Sequence, residues 1–477
     1  RPGAPAGIGA RRGRLALGLA ALILLVAVLV SGIGGGVAPP PKPGIFAATG
    51  GGDPFAYRSS RIADFIARAT TGNAQVLFTK SPGGAVATAA RVASYRAAID
   101  RLTAGTGVDP NLLEGLVFLE SAGRPDAIAG SDVSDAAGLT QILASTGESL
   151  LGMHIDLSRS RRLTAQIDGV AAGTRNGLLA PLLARRAAAD DRFNPARELA
   201  ATVRYLEIAR RQFGREDLAV ESYHMGIGNM HQVLSDYDSG QAVPYAQLYF
   251  GSTPLRHVST YRLLAGFGDD SELYYWRLLG AVAIMHLYRT DRPALERLAA
   301  LETGDASGAG VLHPTATAHP FADPAALSAA YQAHALVPLP ANSAALGLDI
   351  ASGMGSEADR AGGPRSLYRG LRPVALRLLV DLAGWVRALS RVPAPLRIAS
   401  TVTDVRYQQA LGFPDPPATT GWSFQIERHY AGSAQANALQ ALLDRLQSLH
   451  LITWSRGLDT IEVTVAADAT RWLKALG

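Results

Sequence analysis

The stretch GVDPNLLEGLVFLESAGRPDAIAGSDVSDAAGLTQI, residues Gly107 to Ile142, decides the fold of the chain. Asp109 is a favourable N-cap residue and Pro110 fits the first helical position, so we predict that a helix begins there. The apolar residues that recur at helical spacing with Glu120 are Leu113, Leu116 and Val117. The pattern therefore places one carboxyl group on an otherwise apolar helix face.

The position of Glu120 near the end of this predicted helix indicates an altered acidity. Gly123 and Pro125 end the helix just beyond it. Burial and the negative end of the helix dipole both disfavour ionisation, so we expect the pKa of Glu120 to be raised. A carboxyl group that stays protonated near pH 7 can act as a general acid. The alternative is a glutamate that turns to solvent at a helix end.

Two further motifs follow this one. ES at positions 120–121 is followed by GLTQI at 138–142 and by SYHMG at 222–226. In this order and at these separations, the three segments resemble the motifs of soluble lytic transglycosylases, relatives of goose-type lysozyme, which read roughly E-S, G-L-M-Q and A-Y-N-A-G. The resemblance covers residues 90–289. Thr140 stands where the family often has Met, and His224 stands where it often has Asn.

The resemblance implies a reaction that uses a single glutamate. Glu120 first protonates the glycosidic oxygen of peptidoglycan, assisted by the N-acetyl group of muramic acid. It then acts as a base towards the 6-hydroxyl of the same sugar, which gives a 1,6-anhydro product without water. No cofactor and no metal ion are implied.

Four residues are predicted to bind the substrate: Ser121, Gln141, Tyr223 and Tyr249. The Gln141 amide offers a donor and an acceptor suited to sugar hydroxyl and N-acetyl groups, and Ser121 resembles a family position that orders the cleft. The Tyr223 phenol is expected to hydrogen-bond the acid or the glycan, and Tyr249, within PYAQLYF, resembles the Tyr that follows the third motif. The alternatives are a Ser121 bonded to backbone, a surface Gln141 and a core Tyr223.

The composition excludes some classes of function. The 477 residues include no Cys, so disulfides and thiolate metal sites are excluded. The formal net charge is +5, and almost all basic residues are Arg. We find no basic patch interleaved with aromatic residues and expect no nucleic-acid binding. Arg-rich surfaces suit an anionic cell-wall polymer.

The N-terminal segment, 1–52, is predicted to be a cytoplasmic stub, a transmembrane signal anchor and a Gly/Pro-rich tether. Arginines at positions 11, 12 and 14 precede an apolar run over 15–30, extended by 31–33, and about 18 to 20 apolar residues suffice to span a bilayer. This charge bias predicts a single-pass protein of the cytoplasmic membrane, with its catalytic domain in the periplasm or cell-wall space. The alternative is a cleaved signal peptide, which Pro39 disfavours.

The remaining chain is predicted to contain a lytic transglycosylase-like domain over 53–302, a linker over 303–361 and an α+β domain over 362–477. In the last domain we predict helices over 371–389 and 437–449, a strand over 396–401, and a hairpin formed by 452–454 and 460–465.

The C-terminal domain also resembles the zinc D-Ala-D-Ala carboxypeptidases, through the segments LRIASTVTDVRYQQAL and PPATTGWSFQI. A catalytic zinc site needs three protein ligands and an open position. Ala418 and Gln425 stand at two of the ligand positions, and 461–463 reads IEV where a terminal His is expected. We therefore expect that the metal site is lost and that this domain is non-catalytic.

The sequence thus predicts a mainly α protein, with a lysozyme-like helical catalytic domain, a small α+β C-terminal domain and one N-terminal transmembrane helix. The expected partners are peptidoglycan glycan strands and the membrane. One alternative is a muramidase, in which Asp132 or Asp135 supplies a second carboxylate and the product is a reducing end. The other is a non-catalytic cell-wall-binding or scaffold protein.

Overall fold

The computed structural model describes residues 55 to 474, except positions 56, 172–175, 269, 305–306, 314–317 and 413. The predicted transmembrane segment and its tether therefore lie outside the described residues. Within the described ranges, no helix is both long enough and apolar enough to cross a bilayer.

The described chain is mainly helical. The helices of its first half are α1 (Ile62–Gly72), α2 (Gln75–Thr79), α3 (Ala85–Ala93), α4 (Arg96–Thr103), α5 (Pro110–Ser121), α6 (Ala144–Ser149), α7 (Leu157–Ala171), α8 (Leu179–Ala189), α9 (Pro195–Phe213), α10 (Glu216–Met225) and α11 (Ile227–Asp238). Those that follow are α12 (Tyr245–Gly251), α13 (Val258–Gly266), α14 (Tyr274–Thr290), α15 (Arg292–Thr303), α16 (Ser307–Leu312), α17 (Pro324–Gln332), α18 (Ala358–Ala361), α19 (Pro373–Ser390), α20 (Val405–Leu411), α21 (Ser433–Ser448) and α22 (Ala469–Lys474).

The strands all lie in the C-terminal part of the described chain. They are β1 (Val337–Pro338), β2 (Leu348–Ile350), β3 (Gly370–Leu371), β4 (Leu396–Ser400), β5 (Ser423–Glu427), β6 (Ile452–Arg456) and β7 (Thr460–Val465). Short 3-10 turns occupy Ser59–Arg61, Asn176–Leu178, Asp191–Phe193, Ser271–Leu273, Arg365–Tyr368 and Pro417–Thr420.

The described chain forms two compact units. The first comprises Val86–Tyr245 and Ser259–Arg289, and the second comprises 55–85, Ala246–Val258 and 290–474. These boundaries differ from the predicted 53–302, because the segments 55–85 and 246–258 belong to the second unit. Phe65 shows why: its ring centroid lies 4.9 Å from that of Phe250 and 5.1 Å from that of Trp472. These aromatic contacts join residues far apart in the sequence.

In the first unit, α5 forms as the sequence predicts. Pro110 occupies the first position, and the Asp109 carboxylate caps the helix by accepting a hydrogen bond from the Asn111 backbone N–H at 2.8 Å. Ala122 ends the helix in the left-handed conformation, with φ of 56°. At Gly115 the helix packs closely on α14, because a Cβ atom there would lie 2.8 Å from Val282 Cγ2. The helix is therefore fixed at both ends and along one face, with Glu120 in its last turn.

The second unit contains a five-stranded sheet with the order β2-β4-β5-β7-β6. β2 and β4 are parallel, and the other neighbours are antiparallel. Two helices, α19 and α21, pack against each other and bury the apolar residues Trp385, Leu442 and Leu446. The helices predicted over 371–389 and 437–449, the strand over 396–401 and the hairpin are confirmed, with small shifts of their ends.

The segment 303–361, predicted to be a linker, is part of this unit. It supplies α16, α17, α18 and the edge strand β2. Leu327 and Ala358 are completely buried, in an apolar cluster that includes Tyr368 and Val402. Proline and glycine interrupt the segment so often that its apolar residues show no regular period, although they meet in the folded core.

Candidate active site

Glu120 receives a hydrogen bond from Tyr274, the first residue of α14. The Tyr274 hydroxyl donates to Glu120 Oε1 over 2.7 Å. Tyr274 is buried, with 4% of its surface exposed, whereas Glu120 remains partly accessible. A carboxyl group that is held by one buried donor and still reachable from solvent is placed to exchange a proton with a ligand.

The pKa of Glu120 is raised, as the sequence predicts. Burial is the main cause, and the charge of His224 and the hydrogen bond from Tyr274 act in the opposite direction without cancelling it. Since the ordinary value is 4.5, the shift moves the carboxyl group towards the protonated form at neutral pH. Such a group can serve as a general acid.

His224, on α10, is exposed and lies beside Tyr274. The two ring centroids are 5.0 Å apart, and His224 Nδ1 lies 2.8 Å from the Ser271 hydroxyl oxygen. Ser271 therefore fixes one ring nitrogen of an imidazole whose charge influences Glu120. The family motif often has Asn at this position, so this chain places a titratable group where a neutral one is expected.

Tyr223, also on α10, lies close to Glu120 but is not its hydrogen-bond donor. Its hydroxyl donates to the backbone oxygen of Thr140 over 2.8 Å, and its ring stacks edge-on against Tyr205 with centroids 5.0 Å apart. Burial and the nearby Glu120 carboxylate both raise the pKa of Tyr223. The Tyr223 phenol is therefore one of the groups that surround the Glu120 carboxyl group.

The second motif forms a tight turn that Gln141 helps to hold. Ala137 and Ile142 exchange two backbone hydrogen bonds, of 3.2 and 3.1 Å, across the turn. The Gln141 side-chain amide donates to the backbone oxygens of Gly138, at 2.7 Å, and Ala127, at 3.2 Å. These bonds use the donors that were expected to face a sugar, so in this structure Gln141 supports the loop.

A buried ion pair anchors the loop that leads into this turn. Arg192 and Asp190 are both fully buried and lie 2.7 Å apart. Arg192 also donates to the backbone oxygens of Val133, at 2.6 Å, and Asp135, at 3.0 Å. The polar loop is thus fixed by a guanidinium group within the first unit, although its sequence is typical of an exposed segment.

Two of the predicted substrate-binding residues have local roles in the structure. Ser121 is buried, and its hydroxyl donates to the Val117 backbone oxygen and accepts from the Arg124 N–H. This is the backbone-bonded alternative. Tyr249 belongs to the second unit, is 1% exposed and lies with its hydroxyl oxygen 3.0 Å from Ser448 Oγ. The phenol bonded to Glu120 is that of Tyr274, and a substrate contact of Tyr249 stays a prediction.

Neither aspartate proposed for a muramidase is among the groups that shift the pKa of Glu120. Asp132 binds the Arg161 guanidinium through both carboxylate oxygens, at 2.5 and 2.6 Å, which lowers the pKa of Asp132. Asp135 accepts a hydrogen bond from the Asp132 backbone N–H at 3.4 Å. Asp132 is thus bound to α7, and Asp135 is bound within its own loop.

Residues of the site that the sequence did not single out come from distant positions. Tyr274 was visible only as one member of an aromatic-rich stretch, and Ser271 carried no signal. Glu198 and Thr202 lie on α9, where their spacing of four residues is typical of one helix face. Both contact the Thr140 hydroxyl. The only sign of these contacts in the sequence was that Thr140 departs from the family pattern.

The C-terminal positions expected to hold zinc ligands form a different polar cluster. Ala418 is buried, and the Gln425 amide donates to Asp415 Oδ2 over 3.1 Å. Glu462 pairs with Gln425 across β5 and β7, and burial raises its pKa to about 8. Over the described residues, no group of three or more His, Asp or Glu side chains is arranged to hold a metal ion.

No protein-family model matches the sequence, and a comparison with curated proteins gives no match. The resemblance to lytic transglycosylases is therefore a resemblance of the three motifs.

Proposed function

We propose that the first unit is a peptidoglycan lytic transglycosylase that cleaves the β-1,4 bond between MurNAc and GlcNAc and forms 1,6-anhydro-MurNAc. The observation that carries the proposal is the state of Glu120. It is a partly accessible carboxyl group with a raised pKa, bonded to one buried phenol, and neither Asp132 nor Asp135 is among the groups that shift this pKa. A single carboxyl group of this kind suits a reaction in which one residue is first the acid and then the base.

In the first step, the proton of Glu120 moves to the glycosidic oxygen as the bond from that oxygen to C1 of MurNAc breaks. The N-acetyl oxygen of the same sugar supplies electron density to C1. Glu120 becomes a carboxylate, and the Tyr274 hydroxyl stabilises the new charge because a hydrogen bond to an ionised acceptor is stronger than one to a neutral acceptor.

In the second step, the Glu120 carboxylate removes the proton of the 6-hydroxyl group while that oxygen attacks C1. The anhydro ring closes, and Glu120 returns to its protonated form. Its raised pKa suits both steps, because the carboxyl group holds a proton at neutral pH and its carboxylate is a stronger base than an exposed glutamate.

The muramidase alternative requires a second carboxylate to activate water or to attack the sugar. Of the two aspartates considered, Asp132 forms an ion pair with Arg161 that stabilises its carboxylate, and neither aspartate is among the groups that shift the pKa of Glu120. We therefore favour the anhydro product. The variants Asp132→Asn and Asp135→Asn together separate the alternatives, since a muramidase loses its activity in one of them and a transglycosylase keeps it in both.

The test of the proposed function uses the full-length protein in detergent, incubated with purified peptidoglycan. Mass spectrometry of the released muropeptides is expected to detect anhydro-muropeptides from the wild type and none from Glu120→Gln. Glu114→Gln is the matched control: Glu114 lies on the same helix, is fully buried, and pairs with Arg96 at 3.0 Å and with Arg289. Loss of activity in both variants, or release of reducing ends only, contradicts the proposal.

We further propose that the chain is anchored in the cytoplasmic membrane through its N-terminal apolar segment, with the first unit outside, and that the second unit is non-catalytic. Support for the topology is the run of arginines before the apolar segment. Protease added to intact spheroplasts is expected to digest both units while leaving the N-terminus intact, and protection of the units contradicts this topology.

A further inference from the structure

The first unit contains several buried carboxyl groups that the proposed reaction does not use, and Glu198 is one of them. Glu198, on α9, is completely buried. Its Oε2 atom accepts from the Leu139 backbone N–H at 2.6 Å, and its Oε1 atom accepts from the Thr140 backbone N–H at 2.8 Å and hydroxyl at 3.0 Å. The carboxyl group therefore binds three donors of the turn formed by the second motif.

The turn and the carboxyl group fit each other closely. Gly138 has φ of +92°, and a Cβ atom at this position would lie 2.4 Å from the Glu198 carboxyl oxygens and 2.1 Å from the Arg192 backbone oxygen. The Thr140 hydroxyl oxygen also lies 2.7 Å from that of Thr202. A methionine at position 140 has no hydroxyl, so Thr140 enables a contact that the usual family residue cannot make.

Other groups around Glu198 act on its charge. Burial raises its pKa to about 8, while the three donors and the Arg192 guanidinium favour the ionised form. Glu198 in turn contributes to the raised pKa of Tyr95 and of Tyr223. The charge of Glu198 thus interacts with Tyr223, which lies beside Glu120 in the candidate site.

The turn connects Glu198 to the acid through Tyr223. The Thr140 backbone oxygen accepts the Tyr223 hydroxyl at 2.8 Å, and Tyr223 lies close enough to Glu120 for their charges to interact. The path runs from Glu198 to the Thr140 peptide, then to the Tyr223 phenol, and ends beside Glu120. All its members belong to the first unit.

We propose that Glu198 is a positioning residue for Glu120. Glu198 holds the Leu139–Thr140 turn, and the Thr140 carbonyl of that turn holds the Tyr223 phenol beside Glu120. The catalytic part of this proposal rests on the proposed function. A purely structural role for Glu198 predicts an effect on stability alone, whereas a positioning role also predicts a changed environment at Glu120.

Glu198→Gln is the variant that breaks this contact with the least change in volume. Both oxygens of the Glu198 carboxyl group can accept hydrogen bonds in either protonation state, whereas glutamine, of the same size, replaces one of them with an NH2 group that cannot accept. That group then faces either the Leu139 N–H or the two donors of Thr140, and two donors in contact repel each other. Glu114→Gln is the matched control, because it alters another fully buried glutamate of the same unit whose partners are arginines.

Two readouts are measured in the full-length protein at temperatures where each variant is folded. Release of anhydro-muropeptides gives kcat and KM. The pKa of Glu120 is measured by NMR titration of glutamate labelled with 13C at Cδ, and its signal is identified by its absence in Glu120→Gln.

For Glu198→Gln we expect kcat to fall roughly 10- to 100-fold with KM nearly unchanged, because a small displacement of reacting groups has effects of this size. The pKa of Glu120 is also expected to fall. A displaced Tyr223 admits water to Glu120 and so reduces the burial that raises this pKa. Glu114→Gln is expected to leave both quantities near wild type. If the two variants behave alike in both readouts, the proposal is overturned.

The titration separates this proposal from the proposed function. If the wild type releases no muropeptides, the proposed function fails, and a fall in the pKa of Glu120 in Glu198→Gln still supports the positioning path. An unchanged pKa overturns it. If Glu198→Gln does not fold, Tyr223→Phe removes the last hydrogen bond of the same path: the same fall in the pKa of Glu120 supports the proposal, and an unchanged value refutes it.

Discussion

Replacing Tyr274 with Phe removes one hydroxyl group, the donor to Glu120 Oε1 at 2.7 Å, and keeps the ring that lies beside His224. In the proposed reaction Glu120 is neutral before the first step and acquires negative charge during it. The hydrogen bond therefore contributes to kcat only by the amount by which it strengthens as that charge develops.

The size of the effect follows from this difference. A hydrogen bond between neutral groups contributes about 1 kcal/mol, and one to a charged group contributes about 1.5–3 kcal/mol. The difference of about 0.5–2 kcal/mol corresponds to a fall in kcat of roughly 2- to 30-fold. Because Tyr274 lowers the pKa of Glu120, its loss is expected to raise that pKa further and to extend activity to higher pH.

The assay is the pH dependence of anhydro-muropeptide release at saturating peptidoglycan. Tyr245→Phe is the matched control, since the Tyr245 hydroxyl donates over the same 2.7 Å to the Glu272 backbone oxygen and Tyr245 is also buried. Our reasoning is refuted if Tyr274→Phe lowers kcat no more than Tyr245→Phe does. It is also refuted if the alkaline limb of the pH–activity profile of Tyr274→Phe moves to lower pH.

Three other predictions concern stability. The pKa of Glu198 is raised from 4.5 to about 8 in the folded protein, so its stabilising effect is complete below pH 4.5 and is lost as pH rises through 8. The loss is roughly 5 kcal/mol at most, and Glu198→Gln should flatten this part of the profile of Tm against pH. Gly138→Ala should lower the free energy of unfolding, measured in urea, by roughly 2–5 kcal/mol. Gly152 also has positive φ, but a Cβ atom there would meet nothing within 4 Å, so Gly152→Ala should lower it by about 1–2 kcal/mol. Arg192→Met leaves the buried Asp190 carboxylate without its ion-pair partner and should lower the free energy of unfolding by about 3–5 kcal/mol. Arg161→Met breaks an exposed ion pair and should leave the urea midpoint nearly unchanged.

Local structure was predictable from the sequence where local interactions determine it. Asp109 precedes a proline and caps the helix that was predicted to begin there, and Asn194, which also precedes a proline, caps α9. The hairpin of β6 and β7 formed where apolar and polar residues alternate. In each case the hydrogen bonds or contacts join residues that are close in the sequence, so a short window contains the cause.

The environment of Glu120 was predictable only in part. Its position in the last turn of a helix and its raised pKa follow from the sequence around it. Its donor, Tyr274, lies 154 residues away, and a phenol at that distance looks like any other aromatic residue. The tyrosine expected to bond the acid or the glycan, Tyr223, donates to the Thr140 backbone oxygen. Tyr249 is buried within the second unit, because its segment contributes to a core that only the folded chain assembles.

Thr140 shows that the role of a residue in a motif can depend on distant parts of the chain. Its hydroxyl contacts Glu198, 58 residues away, and Thr202, 62 residues away, so its meaning depends on residues that no motif includes. A polar residue in an apolar motif position is therefore a reason to look for a buried polar partner.

The most direct test of the account is a digestion of peptidoglycan by the full-length protein in water enriched in oxygen-18. We predict muropeptides that end in anhydro-MurNAc, lighter by one water than the hydrolysed product, free of the heavy isotope, and absent with Glu120→Gln. Reducing ends that carry oxygen-18 would show that water is the nucleophile and would contradict the single-carboxylate mechanism. The absence of any release from the wild type would contradict the assignment of Glu120 as a catalytic acid.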